Sequence, residues 1–215
     1  MDSEQYDRWY YTPRGKWIGY CETRLLFKAL RPEPGELLLD VGCGTGFFTR
    51  QMFRGMRGNV IGIDINENRI RYAWQKDKGR SFYAVADAGA LPFGDAAFDI
   101  VISVAALCFI PDIYTAIRET IRVTRRRFAI GLLNRNSLLW LKKGRSGVRG
   151  AYQGTYWHTV NEARSLFSGL PVHNLIVQTA VHMPGGGKIA QRLEHYFPST
   201  LSTGAFILVS GDVVK

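Results

Sequence analysis

Cysteine, long apolar segments and, in one region, acidic residues are all scarce in this chain of 215 residues. The three cysteines are an odd number, which excludes a disulfide framework that uses all of them, and we expect reduced thiols in a cytoplasmic protein. No apolar run approaches the roughly 20 residues that cross a bilayer, so we expect no stable membrane insertion. The polar start Met-Asp-Ser-Glu-Gln differs from a secretory signal. No histidine, cysteine or acidic cluster has metal-ligand spacing, so we expect no metal.

The whole chain carries a net charge of +10, and acidic residues are almost absent between residues 118 and 149. Glu119 is the one acid there, and the basic residues are at 118, 122, 125, 126, 127, 135, 142, 143, 145 and 149. Three interpretations stay open: a solvated face, a site for a lipophilic or acidic small molecule, or an RNA contact supported by nearby aromatic rings. The segment 138–143, Leu-Leu-Trp-Leu-Lys-Lys, joins apolar residues to cations, which suits a membrane surface or a lipophilic acceptor.

The most informative segment is residues 37–46, Leu-Leu-Leu-Asp-Val-Gly-Cys-Gly-Thr-Gly. An apolar run followed by alternating glycines predicts a buried strand, a tight turn and a helix, as in the nucleotide-binding corner of a doubly wound α/β fold. The spacing G-x-G-x-G differs from the dinucleotide pattern G-x-G-x-x-G. Asp40 would repel a pyrophosphate and suits a ligand that carries an ammonium group. An adenosine ligand with an amino-acid tail therefore fits better than NAD.

Strands and helices alternate along the rest of the chain, which predicts βαβ units and a parallel sheet. The predicted strands cover about 37–41, 59–63, 82–85, 97–103, 128–133, 175–181 and 205–210. We expect one domain over residues 1–215. Within it, residues 134–157 are rich in glycine, basic and aromatic residues and are expected to form an insert over the sheet.

The N-terminal segment, residues 1–31, is expected to act as a lid. Pro13 and Gly15 are expected to break regular structure before a helix from about Lys16 to Leu30. Tyr6 and Trp9 belong to an aromatic group that favours order over a frayed terminus, and we expect them to lie over the cofactor.

The segment Asp40-Val41-Gly42-Cys43-Gly44-Thr45-Gly46 resembles motif I of the class I S-adenosylmethionine (SAM) dependent methyltransferases. The resemblance covers roughly residues 36–133 and points to the type 11 small-molecule group, which includes the ubiquinone and menaquinone biosynthesis methyltransferases. It implies a Rossmann-like seven-stranded sheet of order 3-2-1-4-5-7-6, with the last strand antiparallel and helices on both faces. It also implies SAM as the methyl donor and S-adenosylhomocysteine (SAH) as its product. That group often has a histidine near the end of strand four, where this chain has Cys108-Phe109.

Further cofactor candidates follow the second strand. Asp64 lies about 20 residues beyond the glycine turn, where an acid can accept hydrogen bonds from a ribose diol, and Ile65 is beside it. The alternative role for Asp64 is a helix N-cap, for which Asn66 is better placed.

The third and fourth strands are followed by two more candidate groups. The segment from Asp87 resembles the family pattern D-A-x-x-L-P-F, which implies that Asp87 binds the adenine amino group and that Ala88 offers its backbone amide to the ring. A local turn is the alternative for Asp87. By the same resemblance, Ser103 and Val104 would line the methionine side of the cofactor.

The acceptor site is expected between the N-terminal segment and the insert. Its candidate walls are aromatic: Tyr10, Tyr11, Tyr152, Tyr156 and Trp157. His158 is the candidate general base because a near-neutral pKa suits proton removal, and the alternative is a histidine at a helix start.

Three functions remain open from the sequence. The first is a SAM-dependent methyltransferase that acts on a lipophilic or acidic small molecule. The others are an RNA methyltransferase that uses residues 118–149, and a SAM-binding partner protein without catalysis. The sequence names neither the acceptor nor the oligomeric state.

Overall fold

The computed structural model describes residues 2–56, 58–144 and 152–214. Within these ranges seven strands form one sheet in the order β3-β2-β1-β4-β5-β7-β6. The strands are β1 (Leu38–Val41), β2 (Val60–Asp64), β3 (Phe82–Val85), β4 (Phe98–Val104), β5 (Thr124–Leu133), β6 (Val172–Ala180) and β7 (Phe206–Val213). Strand β7 runs antiparallel to β5 and β6, whereas the pairs among β1 to β5 are parallel. The predicted strand order and the antiparallel last strand are therefore confirmed.

Helices cover both faces of this sheet. They are α1 (Ser3–Trp9), α2 (Pro13–Leu30), α3 (Phe47–Met56), α4 (Glu67–Asp77), α5 (Ile113–Val123), α6 (Leu138–Lys143), α7 (Val160–Ser165) and α8 (Lys188–Glu194). Neighbouring strand residues alternate between two cores, so that Leu38 packs in one core with α2 and α3, while Leu39 packs in the other with α5 and α7. In the described ranges, no helix combines the length and the apolar character that crossing a membrane requires.

The N-terminal segment is more regular than the sequence predicted. Asp2 caps α1, and Thr12 caps α2 by accepting a hydrogen bond from the Gly15 amide at 3.0 Å. Pro13 occupies the first position of α2, where its missing N–H costs no helical hydrogen bond. The expectation that Pro13 and Gly15 break regular structure is therefore wrong, because the proline begins the helix.

Arginines at the start of β5 account for part of the basic stretch. Strand β5 begins at Thr124, earlier than predicted, and Arg125 pairs with Asp99 at 3.0 Å. Arg126 pairs with Glu36, and Arg127 donates to the Arg31 carbonyl at 2.7 Å. These contacts lie at the amino end of a strand parallel to β4, the edge opposite the glycine turn. Arg145 and Arg149 lie outside the described residues.

Candidate functional site

The glycine turn after β1 combines two packed positions with one open position. Gly42, Gly44 and Gly46 all have positive φ angles, of 73°, 56° and 78°. A Cβ atom at Gly42 would lie 2.3 Å from the Ala106 Cβ, and one at Gly46 would lie 2.8 Å from the Tyr83 hydroxyl oxygen. At Gly44 no atom lies within 4 Å of such a Cβ. Gly44 therefore presents bare backbone to space that a ligand can enter.

Two buried carboxylates flank this turn. Asp40 accepts a hydrogen bond from the Thr49 hydroxyl at 2.7 Å. Asp64 accepts from the Gly44 and Asn66 amides, both at 2.9 Å, which leaves each of its oxygens a further lone pair. Burial, and then the nearby Asp64 charge, raise the pKa of Asp40 to about 7. Among the described residues neither carboxylate forms an ion pair, so a cationic ligand would stabilise both.

Two buried hydroxyl groups at the same edge have no hydrogen-bond partner among the described residues. They are the side chains of Thr45, in the glycine turn, and Ser103, at the end of β4. A buried polar group without a partner costs about 1–3 kcal/mol, so both groups favour a polar ligand. Ala105 follows with φ of 52°, a strained backbone for a residue with a side chain, at the point where the strand order reverses. Bare backbone, two acids and free hydroxyls together fit a nucleoside with a cationic amino-acid tail.

Four of the remaining predicted cofactor residues lie at or near the surface. Asp87 is exposed after β3, and its Oδ1 accepts from the Gly89 amide at 2.8 Å, which is the local turn considered as its alternative role. Ala88 and Val104 are half-buried, and Ile65 is exposed. The Cys43 amide donates to the Ile63 carbonyl at 2.8 Å, and burial raises the pKa of its thiol well above the usual range. The amide of Cys43 is therefore fixed beside the turn, and its thiol stays protonated near neutral pH.

A buried ion pair fastens α1 to the glycine turn. Arg50 Nη2 lies 2.7 Å from Asp7 Oδ1, and Arg50 Nη1 donates to the Thr45 carbonyl at 2.7 Å. Asp7 also accepts from the Tyr72 hydroxyl at 3.3 Å and lies 3.8 Å from Lys76 Nζ. Sequence analysis missed this group because nothing local in the sequence links Asp7 to Arg50. Since α1 carries Tyr6 and Trp9, the pair fixes these rings relative to the turn.

The structure groups most of the predicted aromatic residues. Tyr10 is buried and stacks on Phe47, with ring centroids 3.8 Å apart, and its ring lies 5.9 Å from that of Tyr6. The Trp9 ring lies 4.9 Å from that of Tyr10.

The insert contributes a second aromatic group. Tyr152 and Trp157 have ring centroids 5.5 Å apart, and both pack against the two cores. Tyr156 and Tyr11 are exposed, and the Tyr11 ring lies beneath Lys76 Nζ at 5.4 Å. Tyr11 is therefore directed toward α4 rather than toward Tyr152 and Trp157.

His158 lies beside the carboxyl end of β5. Its amide donates to the Leu133 carbonyl at 2.9 Å, and it directly precedes Thr159, the N-cap of α7. The ring is half-buried, and Nε2 has no hydrogen-bond partner among the described residues. Burial lowers the pKa of His158, which favours the neutral, proton-accepting form. Within the described ranges no cluster of potential metal ligands is present.

Replacing Asp7 with Asn should destabilise the fold through Arg50. The change leaves a buried guanidinium without its counter-ion, so we expect the free energy of unfolding to fall by about 3–5 kcal/mol in chemical denaturation. The control Glu4→Gln removes only the exposed pair with Arg8 and should cost at most about 0.5 kcal/mol. Equal losses in the two variants would contradict a special role for the Asp7–Arg50 pair.

The raised pKa of Asp40 should make stability depend on pH. The folded-state value of about 7 lies above the unfolded value of about 3.9, so this contribution is complete below about pH 4 and is lost as pH rises through 7. Between pH 5 and pH 8 the wild type should lose about 3 kcal/mol more than Asp40→Asn, which keeps a polar partner for Thr49. Denaturation curves at both pH values measure the difference. The same pH dependence in both proteins would show that Asp40 is ionised throughout.

Comparisons with known proteins agree with this geometry. A family model described as a methyltransferase domain matches residues 39–127. An O-methyltransferase of Penicillium expansum, cnsE, is 36% identical over 113 residues, which is 50% of this chain and 41% of the relative. A demethylmenaquinone methyltransferase of Lactobacillus johnsonii is 34% identical over 114 residues, or 50% and 47% of the two chains. The chain thus spans less than half the length of these curated relatives.

A solved structure from Thermotoga maritima, described as a SAM-dependent methyltransferase and possible histamine N-methyltransferase, shares the fold. Its TM-score is 0.74 at 20% identity, and the match covers 98% of this chain and 96% of the other. The glycine turn, the strand order and the family match have one common explanation, since SAM is the cofactor of the proteins that combine them. Residues 39–127 therefore match the methyltransferase family, and the chain has the fold of the class I SAM-dependent methyltransferases to which it is similar.

Proposed function

We propose that this protein binds SAM at the carboxyl ends of β1 to β4 and transfers its methyl group to a small-molecule acceptor. The observation that carries the proposal is the pair of buried carboxylates, Asp40 and Asp64, beside the open backbone of Gly44. Asp40 binds the ammonium group of the amino-acid tail, Asp64 the ribose diol and Asp87 the adenine amino group. Bound SAM supplies a methyl group that is already activated by the sulfonium, so the protein mainly aligns the acceptor and excludes water.

The lid and the insert complete this proposal. Residues 1–31 cover the cofactor through Tyr6 and Trp9, a role supported by the Asp7–Arg50 pair. Tyr152 and Trp157, from the insert predicted over residues 134–157, form one side of the acceptor site, and we propose that the chain is one domain. The three free cysteines suit a cytoplasmic setting.

A small molecule is favoured over RNA by the positions of the arginines. Arg125, Arg126 and Arg127 make contacts at the opposite edge of the sheet, and Arg122 pairs with Glu119 at 2.7 Å and with Asp95 at 2.8 Å. These side chains are therefore occupied away from the methyl-transfer edge. The names of the two curated relatives, an O-methyltransferase and a demethylmenaquinone methyltransferase, also support a small-molecule acceptor.

The Asp64→Ala variant tests the cofactor site. The change removes the proposed acceptor of the ribose hydroxyls and the carboxylate that binds the Gly44 amide. One hydrogen bond to a charged group contributes about 1.5–3 kcal/mol, so the SAH affinity should fall at least tenfold. Calorimetry measures this affinity. The control Asp95→Ala removes an exposed acid and should bind SAH like the wild type. If Asp64→Ala keeps its affinity, the ribose assignment fails.

Transfer of a labelled methyl group tests the activity. We expect the wild type, incubated with methyl-labelled SAM and a cell extract, to label the small-molecule fraction and not the RNA fraction. Label in RNA would overturn the choice of acceptor. SAM binding without label in either fraction would favour a non-catalytic partner protein.

A further inference from the structure

Strand β3 is a free edge of the sheet. It pairs with β2 on one side, and no described strand pairs with its other side. The Ala86 amide donates to the Asp64 carbonyl of β2 at 3.2 Å, and alternate residues of an edge strand direct their backbone groups to the neighbouring strand. Tyr83 and Val85 therefore direct their amides and carbonyls away from the sheet, where no described residue bonds to them.

The other edge of the sheet, β6, is closed in two ways. A register shift between His173 and Ile176, with a φ of 52° at Asn174, marks a bulge that bends the strand. The Thr179 amide on its outer side donates to the Ser199 carbonyl at 2.6 Å. Such features protect an edge strand from pairing with another chain. Strand β3 has no bulge, proline or charged residue along its four positions, so its edge is unprotected.

Large apolar side chains are exposed on both faces of β3. Phe82 is 71% exposed and Val85 is 51% exposed, and their odd spacing places them on opposite faces. Val85 shares the face of Tyr83, whose hydroxyl donates to Asp77 of α4 at 3.2 Å. The unpaired backbone of this edge is thus bordered by apolar surface on either side, which is typical of a surface that contacts another molecule.

Trp74 extends the apolar surface on the α4 face. Its side chain is 59% exposed. On the same helix the Tyr72 hydroxyl donates to Asp7 of α1. Trp74 lies two positions after Tyr72, roughly 200° around the helix, so it is directed away from α1. The pair of Asp7 and Arg50 fastens α1 to α3, which packs on β2, whereas α4 packs on β3, so Trp74 faces the free edge.

From this geometry we propose that β3 pairs with β3 of a second copy of this chain, antiparallel about a two-fold axis through Ala84. In this register Tyr83 of one copy and Val85 of the other exchange two hydrogen bonds, and the symmetry repeats them. These four bonds use every outward amide and carbonyl of the two strands, and they join two seven-stranded sheets into one. Pairing at β3 is independent of the proposed methyl transfer.

The side chains fit this register on both faces. Phe82 of each copy lies opposite Ala86 of the other, so a large side chain meets a small one. On the α4 face, Tyr83 lies opposite Val85, and pairs of an aromatic and a β-branched residue stabilise sheets. The axis is perpendicular to the sheet, so the two α4 helices lie on the same face and Trp74 of each is directed toward the other. The pairing therefore covers the apolar side chains that are exposed in one copy.

The charges beside the strand favour a second copy in this orientation. Arg80 precedes the strand, Asp87 follows it, and both are exposed. Antiparallel pairing brings Arg80 of each copy close to Asp87 of the other, whereas parallel pairing would bring like charges together. A carboxylate has about four acceptor positions, so this contact leaves Asp87 able to bind the adenine amino group. A second copy supplies the complementary strand by symmetry, and no other component is required.

Sedimentation equilibrium of the full chain tests the pairing. We expect the wild type to sediment as a dimer that dissociates on dilution. In Val85→Pro each copy loses an outward amide, so the dimer loses two of its four hydrogen bonds, while no bond to β2 is lost. The dissociation constant should therefore rise at least about tenfold, and the Tm of the diluted, monomeric protein should stay close to that of the wild type.

Two further variants form a matched pair of exposed aromatic residues. Phe82→Lys places a charge on the edge strand, so its dissociation constant should also rise at least about tenfold. The control Tyr20→Lys makes the same kind of change at a residue of α2 that is 59% exposed, and it should sediment like the wild type.

Hydrogen exchange measured by NMR locates the contact within the dimer. At a concentration where the wild type is dimeric, the Tyr83 and Val85 amides should exchange at least about tenfold more slowly than in Phe82→Lys. The Ala84 amide is directed toward β2 and should be protected alike in both proteins. Equal protection of Tyr83 and Val85 in the two proteins would exclude β3 from the interface and overturn the proposal.

The sedimentation results decide the remaining alternatives. A wild type that stays monomeric overturns the proposal. A dimer that is unchanged in Phe82→Lys and Val85→Pro uses another surface and overturns it as well. Assembly beyond the dimer would indicate an open contact instead of a closed two-fold one, with the same consequence. If Val85→Pro lowers the Tm of the monomer, Phe82→Lys decides alone, because the exposed Phe82 side chain contributes little to the fold of one copy.

Discussion

The buried guanidinium of Arg50 is the contact on which the ligand edge of this protein depends. It binds the Thr45 carbonyl from within α3 and the Asp7 carboxylate from within α1. A buried guanidinium without partners is costly, so the turn, α3 and the N-terminal helix are expected to become ordered together. The position of Arg50 also explains why the third residue of the motif is a glycine, because a Cβ atom at Gly46 would lie 3.0 Å from Arg50 Nη1. Of the three glycines in the motif, only Gly44 leaves space for a ligand.

The two ends of the parallel strands differ in charge, with arginines at the amino ends and buried acids at the carboxyl ends. At the amino ends, Arg125 and Arg126 pair with acids and bind the sheet to the residues that follow α2. At the carboxyl ends, Asp40 and Asp64 are buried without an ion pair among the described residues. A protein with a net charge of +10 therefore has two buried acids at the edge where we propose that its ligand binds. The local field, rather than the net charge, decides which ligand such a site accepts.

The sequence predicted the parts of the structure that depend on local pattern. Alternating strands and helices gave the sheet, and Asn66 was correctly preferred as the cap of α4. The prediction that Pro13 breaks regular structure is wrong because a proline that breaks a helix and a proline that begins one look alike in sequence. The preceding cap, Thr12, distinguishes the two cases. The Asp7–Arg50 pair joins two distant segments, so no local spacing could predict it.

The raised pKa of Asp40 links its ionisation to the proposed ligand. A cation bound near a carboxyl group favours its ionised form, so an ammonium group beside Asp40 would lower the pKa of this carboxyl group. Without a bound cation, burial favours the protonated acid. The site we propose would therefore bury a negative charge only together with its counter-ion, which suits surroundings where an unpaired charge is costly.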